Sequence, residues 1–143
     1  MQEGFRMKDI GIGALSQETG CNIETIRYYE RIRLLPKPRR KRGSRVRRYD
    51  ADDVARLRFI RRARQLGFTL VEVRGLLRLA AATEGQDTRA AVRKIVAAHV
   101  ADIQTKIADL QAMERVLADA ICECETGQRL RCPLIEVLSK QAA

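Results

Sequence analysis

The sequence predicts a mainly α-helical protein with a winged helix-turn-helix, a long coiled-coil helix and a short cysteine-bearing end. Two short helical patterns meet at a Gly-centred turn and are followed by a strongly basic segment. An apolar stripe with mostly alternating three- and four-residue steps runs from Val96 to Ile121. Three of the four cysteines fall between Cys122 and Cys132. In chain order, the three predicted domains cover residues 1–82, 83–121 and 122–143.

The helix-turn-helix prediction rests on the turn Thr19–Asn22. Gly20 adopts a positive φ at little cost, which suits the end of a short helix. Asn22 can cap the next helix, and Glu24 adds a favourable charge to its first turn. Taken alone the outline is weak, because many helical proteins contain such a turn. The second helix carries hydrogen-bond donors that are candidate DNA contacts: Thr25, Arg27, Tyr28 and Arg31.

The basic segment strengthens the prediction of DNA binding. Lys37–Arg48 contains eight Lys or Arg in twelve residues and no acid. A turn signal at Gly43-Ser44 and a short strand at Arg45–Tyr49 predict a hairpin wing over about residues 37–49. The alternative is a flexible basic linker or a localisation tail, which we favour less because the run lies between helices. The predicted DNA contacts of the wing are Arg45, Arg47, Arg48 and Tyr49.

The charge composition indicates which class of molecule the protein binds. The formal net charge is +10, and residues 1–48 hold 13 Lys or Arg against five Asp or Glu. This excess favours a polyanion, nucleic acid first. We find neither a membrane-length apolar run nor a secretory signal pattern, so we expect a cytoplasmic protein without membrane contact. The single His and the lack of a Gly-rich phosphate loop argue against an enzyme.

Two capped helices are predicted after the wing. Asp50 can cap a third helix over about residues 51–65. Thr69 and Glu72 form the capping box of a fourth helix over about residues 70–80. We expect this pair to be packing scaffold rather than a second reading head. The basic residues of the third helix could still touch phosphate, and these are Arg56, Arg61, Arg62 and Arg64.

A long helix is predicted from Thr88 to about Ile121, after a polar hinge at residues 83–87. At ~1.5 Å per residue it is roughly 50 Å long. Its apolar stripe needs a partner, and the chain offers no second long helix, so we expect an antiparallel homodimer. His99 lies beside the stripe and is expected to be a packed or solvated side chain rather than a ligand.

The cysteine end favours metal binding. Cys124 and Cys132 flank a seven-residue loop that contains Gly127, and such a loop can bring two thiolates onto one ion. Thiolate is the preferred ligand of soft ions such as Cu(I), Hg(II), Cd(II) and Zn(II). Unremarkable thiols and a redox pair remain alternatives. Cys21 is distant in sequence and is expected to be a small buried hydrophobe.

These motifs resemble the MerR family of metal-responsive transcription regulators, over residues 12 to about 138. The matching pieces are IGALSQETG…IETIRYYE, the RRY that closes the wing, RFIRRARQLGF and the C-x-C…CPLI ending. The resemblance implies a dimer bound to a palindromic operator between promoter elements set too far apart. Such a dimer represses without metal. With metal it untwists the DNA, so that RNA polymerase engages both elements.

Residue roles also follow from the resemblance. It assigns Arg27 to the recognition helix, and Cys124 and Cys132 to the metal loop, while Cys122 matches an extra cysteine of mercury-type members and is a possible ligand. Arg89 stands where mercury- and zinc-type members donate a Cys across the dimer. The seven-residue loop is similar to that of the copper branch, where two cysteines hold a monovalent ion. We therefore expect one or two ions at each dimer end, favouring Cu(I) or Hg(II), with Zn(II) and Cd(II) also open.

Three functions remain open from the sequence. The first is a metal-responsive activator and repressor. The second is a thiol-redox or small-molecule-responsive regulator on the same scaffold. The third is a metal-sequestering or architectural DNA-binding protein without promoter specificity. Uniform, salt-sensitive binding to any duplex would favour the third, whereas a footprint on one palindrome would exclude it.

Overall fold

The computed structural model describes residues 9–40, 43, 45–82, 85–127 and 131–140. Two compact units divide the chain, Met1–Arg89 and Ala90–Ala143. The element order confirms the predicted, mainly helical fold class. The elements are α1 (Ile12–Thr19), α2 (Ile23–Arg31), β1 (Arg39–Arg40), β2 (Arg47–Arg48), α3 (Ala51–Gln65), α4 (Leu70–Ala81), α5 (Gln86–Glu125) and α6 (Pro133–Ser139).

Three helices, α2, α3 and α4, begin where their capping residues predict. The Asn22 side chain accepts a hydrogen bond of 2.7 Å from the Thr25 N–H and so caps α2. Asp50 forms a capping box with Asp53 at the start of α3. Thr69 forms another with Glu72 at the start of α4. These caps satisfy backbone N–H groups that have no partner within the helix, which explains why local sequence defines the helix starts.

The core of the first unit lies among α1, α2 and α3, with α4 packed against α3. Cys21 is buried, which confirms the prediction of a small buried hydrophobe. The core side chains are apolar and almost completely buried, and the largest besides Tyr49 are Leu15, Ile26, Leu34, Leu35, Leu57, Ile60 and Val73. Because one face of α2 packs into this core, the opposite face of α2 is exposed.

The wing is shorter than predicted. β2 covers Arg47–Arg48 rather than residues 45–49, and it pairs antiparallel with β1. Tyr49 instead forms a β-bridge with Ile10, with N–H···O distances of 2.9 Å in both directions. The predicted turn residue Ser44 and the hinge residues 83 and 84 lie outside the described part of the chain.

The long helix extends beyond its predicted ends. It begins at Gln86 rather than Thr88 and ends at Glu125 rather than Ile121. No Gly or Pro interrupts the sequence until Gly127, which has a φ of 63°. As a consequence, Cys122 and Cys124 lie in the last turn of α5 rather than in a loop.

The predicted stripe on α5 is uncovered within a single chain. Among the residues of α5, His99 and Ala120 are buried, which agrees with the prediction of a packed His99. The stripe side chains are each 38–64% exposed, and they are Val96, Val100, Ile103, Ile107, Leu110, Met113, Leu117 and Ile121. So much exposed apolar surface on one helix marks an interaction face.

The backbone conformation at position 20 and the closeness of Arg61 both favour a glycine there. It ends α1 in the left-handed region with a φ of 67°, and its N–H donates to the Ser16 carbonyl. The Arg61 guanidinium donates to the Thr19 carbonyl at 2.9 Å and fills the place where a Cβ on Gly20 would stand. A side chain here would displace the contact that joins α3 to the end of α1.

We therefore predict that Gly20→Ala lowers the free energy of unfolding by about 1–2 kcal/mol, the cost of a left-handed non-glycine residue, with the Arg61 clash adding to it. Urea unfolding followed by circular dichroism measures the change. Gly13→Ala is the matched control, because a Cβ at Gly13 in α1 meets nothing within 4 Å. The control is expected to be neutral or slightly stabilising. Equal stability of the two variants would contradict this account of Gly20.

Candidate nucleic-acid interface and thiol pair

The exposed face of α2 carries three of the predicted DNA contacts. Arg27, Tyr28 and Arg31 are exposed, and Thr25 is half-buried one turn earlier. The Arg31 guanidinium lies 5.9 Å from the centroid of the Tyr28 ring, within cation–π range. Stacking of this kind restricts both side chains and keeps the Arg31 charge on the exposed face.

A groove of about 520 Å³ separates α2 from the wing. Four of its lining residues are cationic and one is acidic. The lining residues are Arg27, Glu30, Arg31, Lys37, Pro38 and Arg47. A concave surface with this charge attracts a polyanion such as the DNA backbone.

Among the described residues that line the groove, the one acid is buried and bound on both oxygens. Glu30 is 6% exposed. Its Oε2 accepts from Arg47 Nη1 at 2.8 Å, and its Oε1 accepts from the Tyr49 hydroxyl. Burial, with the hydrogen bond to the Glu30 carboxylate, raises the pKa of the Tyr49 hydroxyl far above its usual value. Tyr49 therefore stays a hydrogen-bond donor at any physiological pH.

The prediction that Tyr49 contacts DNA is wrong. Its side chain is fully buried between α2 and the strand end, so it cannot reach nucleic acid. The sequence pattern placed Tyr49 on the wing, but its hydroxyl satisfies Glu30 instead. Arg45 and Arg48 are exposed and Arg47 is half-exposed, so these three stay candidate contacts. Arg48 also donates to the Asp9 carbonyl at 3.2 Å.

The basic face of α3 is largely engaged within the protein. Arg56 donates to the Leu34 carbonyl at 2.7 Å, and Arg64 donates to the Phe68 carbonyl at 2.7 Å. With Arg61, three of the four α3 arginines that could touch phosphate hold main-chain carbonyls, which agrees with a scaffold role for this helix. Arg74 of α4, which the sequence analysis missed, donates to the Ile32 carbonyl at 2.6 Å. Arg61 thus holds the end of α1, Arg56 and Arg74 hold the segment that follows α2, and Arg64 holds the turn between α3 and α4.

Two of the predicted metal ligands lie at the end of α5 and just before α6. Cys124 lies on the last turn of α5, and Cys132 immediately precedes α6. The two thiols lie close enough for each to shift the pKa of the other, and both side chains are exposed. Pro133 of α6 and Ala120 of α5 are buried and line one cleft, so α6 packs against the end of α5.

The pKa values of the two thiols are shifted in opposite directions. The negative charge that Cys132 can carry raises the pKa of the Cys124 thiol. The backbone N–H groups of Ile135 and Leu134 point at the Cys132 sulfur and lower the pKa of that thiol, although neither contact meets the geometry of a full cap hydrogen bond. Cys132 is therefore the first of the pair to become a thiolate as the pH rises.

Cys122 does not join the pair. It lies two residues before Cys124, which places it about 200° around the helix. Within the described residues, no three His, Cys, Asp or Glu side chains form a group able to hold one ion. The described residues thus bring two thiols together, and the prediction of Cys122 as a possible ligand stays a prediction.

The chain matches two family models. The MerR helix-turn-helix regulatory model matches residues 3–80, and the MerR DNA-binding model matches residues 54–120. The chain therefore belongs to the MerR family of DNA-binding transcription regulators. This membership confirms the resemblance and the expectation of a regulator rather than an enzyme. In the part of the chain that the structure describes, we find no helix apolar and long enough to cross a bilayer.

Three relatives share nearly the whole chain. A mercuric resistance operon regulatory protein of Pseudomonas fluorescens is 38% identical over 139 residues, covering 96% of this chain and 92% of its own. A lead(II)-bound transcription regulator of Ralstonia metallidurans CH34 is 37% identical, with a TM-score of 0.73 over 91% of this chain and 99% of its own. Mercury(II)-bound MerR of Bacillus megaterium MB1 is also 37% identical, with a TM-score of 0.68 over 92% and 100%.

The acidity difference predicts an order of alkylation. In the reduced protein, Cys132 should react with iodoacetamide at a lower pH than Cys124, because only the thiolate attacks and the pKa of Cys132 is lowered while that of Cys124 is raised. Peptide mass spectrometry over a pH series gives both titration midpoints. Coincident midpoints, or an earlier midpoint for Cys124, would contradict the arrangement at the start of α6.

Proposed function

We propose that this protein is a metal-responsive transcription regulator that binds a palindromic promoter operator as a homodimer. It represses in the metal-free form. It activates by distorting the DNA when a soft thiophilic ion binds Cys124 and Cys132. The observation that carries the proposal is the thiol pair of a MerR-family chain: Cys124 ends α5 in its last turn, Cys132 precedes α6, and each shifts the pKa of the other.

DNA binding is assigned to the exposed donors around the groove. Arg27 and Thr25 on α2 are placed to read base edges, because the second helix of a helix-turn-helix enters the major groove. The wing arginines supply phosphate contacts, which fix the register on the duplex without reading sequence. The proposed contacts are Thr25, Arg27, Tyr28, Arg31, Arg45, Arg47 and Arg48.

The homodimer is supported by the uncovered stripe of α5. Eight large apolar side chains, each 38–64% exposed, recur at coiled-coil spacing over residues 96–121. Burying them against the same stripe of a second, antiparallel copy removes this surface from water. Two-fold symmetry of the protein then matches a palindromic operator.

The two-thiolate site favours an ion that accepts two ligands. Thiolates are soft donors, and Cu(I) and Hg(II) are soft ions that suit a pair of them. A structural Zn(II) site takes four ligands, so Zn(II) or Cd(II) needs donors beyond this pair. Relatives solved with lead(II) and mercury(II) support a soft ion without fixing which one.

The proposed mechanism is a shift between two states of one dimer. An ion changes the equilibrium only by binding one state more tightly than the other. The state that holds both thiolates on the ion is the one that untwists the operator, and the cost of deforming DNA is of order 1–6 kcal/mol. RNA polymerase then responds to the altered DNA, so it is an indirect partner in the bacterial cytoplasm.

A thiol-redox regulator is the second candidate, and it is favoured by the closeness of two thiols that shift each other's pKa. A disulfide such as oxidised glutathione could take two electrons from the pair. One Cys124–Cys132 bond would form and two glutathione thiols would be released. Reducing, anaerobic conditions separate the candidates, since they allow metal binding and prevent this oxidation.

We predict that the reduced protein binds one soft ion per thiol pair, detected by thiolate-to-metal absorption during titration with Cu(I), Hg(II), Zn(II) and Cd(II). Cys124→Ser and Cys132→Ser should each abolish tight binding, because each removes one of two ligands. Cys122→Ser is the matched control and should keep the stoichiometry, because Cys122 lies on another face of α5. Loss of binding in the control would contradict the two-thiolate site, and no binding by the intact protein would favour the redox candidate.

A further inference from the structure

The groove between α2 and the wing holds an acid that DNA binding alone does not explain. Glu30 is buried, and a buried charge is costly unless it is paired and hydrogen-bonded. Its negative charge also opposes the approach of phosphate to the surrounding cations. Glu30 is paired and hydrogen-bonded on both oxygens, which offsets the cost of its burial, and these contacts indicate its role.

Both oxygens of Glu30 hold the second strand of the wing. Arg47 lies in β2, and Tyr49 immediately follows that strand. The described part of the wing contains two residue pairs, and a two-stranded hairpin of this size is marginal by itself. Tertiary contacts must therefore set its direction. The Ile10–Tyr49 bridge ties the wing to the segment before α1, whereas the Glu30 contacts tie it to α2.

We infer that Glu30 is a positioning residue for operator recognition. By accepting hydrogen bonds from Arg47 and Tyr49, it fixes the wing against the recognition helix. This inference rests on the proposed operator binding. Because Glu30 occupies Arg47 from the protein side, the guanidinium is oriented before DNA arrives and keeps further N–H donors for a phosphate. The distance between wing and helix is then set in the free protein, which reduces the ordering cost of binding.

A role of Glu30 through its charge and a role in positioning the wing predict opposite effects of Glu30→Gln on operator affinity. If Glu30 acted only through its charge, removing that charge would strengthen binding to every duplex. If Glu30 positions the wing, the variant should weaken operator binding while binding to unrelated DNA is unchanged or slightly stronger. The ratio of the two affinities therefore distinguishes the two roles.

Two variants test the inference in the full-length protein. Glu30→Gln keeps the shape and removes the charge, and Tyr49→Phe removes a donor from a side chain that is too buried to touch DNA. The probe is the duplex that the wild-type protein selects from a random-sequence pool, compared with a shuffled duplex of equal length. Fluorescence anisotropy gives both affinities. We expect each variant to lower the operator-to-shuffled ratio by roughly tenfold, about the effect of one mismatched base pair.

Glu18→Gln is the matched control. Glu18 on α1 is exposed and pairs with Arg58 at 3.1 Å, so the substitution removes the same charge and also breaks an ion pair without touching the wing. Its affinity ratio should equal that of the wild type. Hydroxyl-radical footprints add a readout that a purely structural role would not move. In Glu30→Gln, protection at the wing should be lost while protection at the recognition helix remains.

Each outcome has a definite meaning. Wild-type ratios and footprints in both Glu30→Gln and Tyr49→Phe would overturn the inference. Loss of all protection together with a lowered melting temperature in both variants would also overturn it, because Glu30 would then serve only stability. If Glu30→Gln does not fold, the Tyr49→Phe ratio decides. If the wild-type protein selects no palindrome, the proposed function fails, and that result is separate from the test of Glu30.

Discussion

The DNA-binding unit depends on one buried carboxylate. Glu30 accepts hydrogen bonds from Arg47 and Tyr49, and so joins the recognition helix to a wing that pairs over only two described residue pairs. The Glu30 contacts set the distance between α2 and the wing, and this distance is the width of the groove between their cationic side chains. The arginines of α3 and α4 act alongside it by holding main-chain carbonyls at the end of α1 and in the segment that follows α2. Several positive side chains of this basic protein thus shape the surface rather than contact the ligand.

The second unit combines an interaction face with a candidate ion site. The α5 stripe is exposed in one chain, and the last turn of the same helix carries Cys124, whose thiol lies close enough to Cys132 for each to shift the pKa of the other. In the proposed dimer, an ion that draws the two thiolates together would act at the junction of α5 and α6, next to the residues that pack α6 in place. Family membership establishes a DNA-binding regulator. The two-thiol geometry supports the proposal that a soft ion controls it.

Local patterns predicted much of this structure. The caps Asn22, Asp50 and Thr69 define helix starts, because a cap depends on residues three positions apart. Contacts between distant residues were not predictable. Glu30 meets Arg47 across 17 positions, and Arg61 meets Thr19 across 42, so no local pattern shows that Tyr49 turns inward or that the α3 arginines are engaged. Cys122 was a possible ligand by the resemblance to mercury-type members, whereas helix rotation places it about 200° from Cys124 on α5. The one available signal for Glu30 was an acid within a strongly basic half.

The most direct test of the central claim is transcription in a purified system from a promoter that carries the selected palindrome. The proposal predicts little transcript with the metal-free protein and a marked increase when Cu(I) or Hg(II) is added under reducing, anaerobic conditions, while the protein stays bound to the DNA. Cys124→Ser should bind the same promoter and remain repressing with the ion present. Equal transcription with and without each soft ion, from a promoter that the intact protein demonstrably occupies, would contradict the claim that the thiol pair controls the promoter.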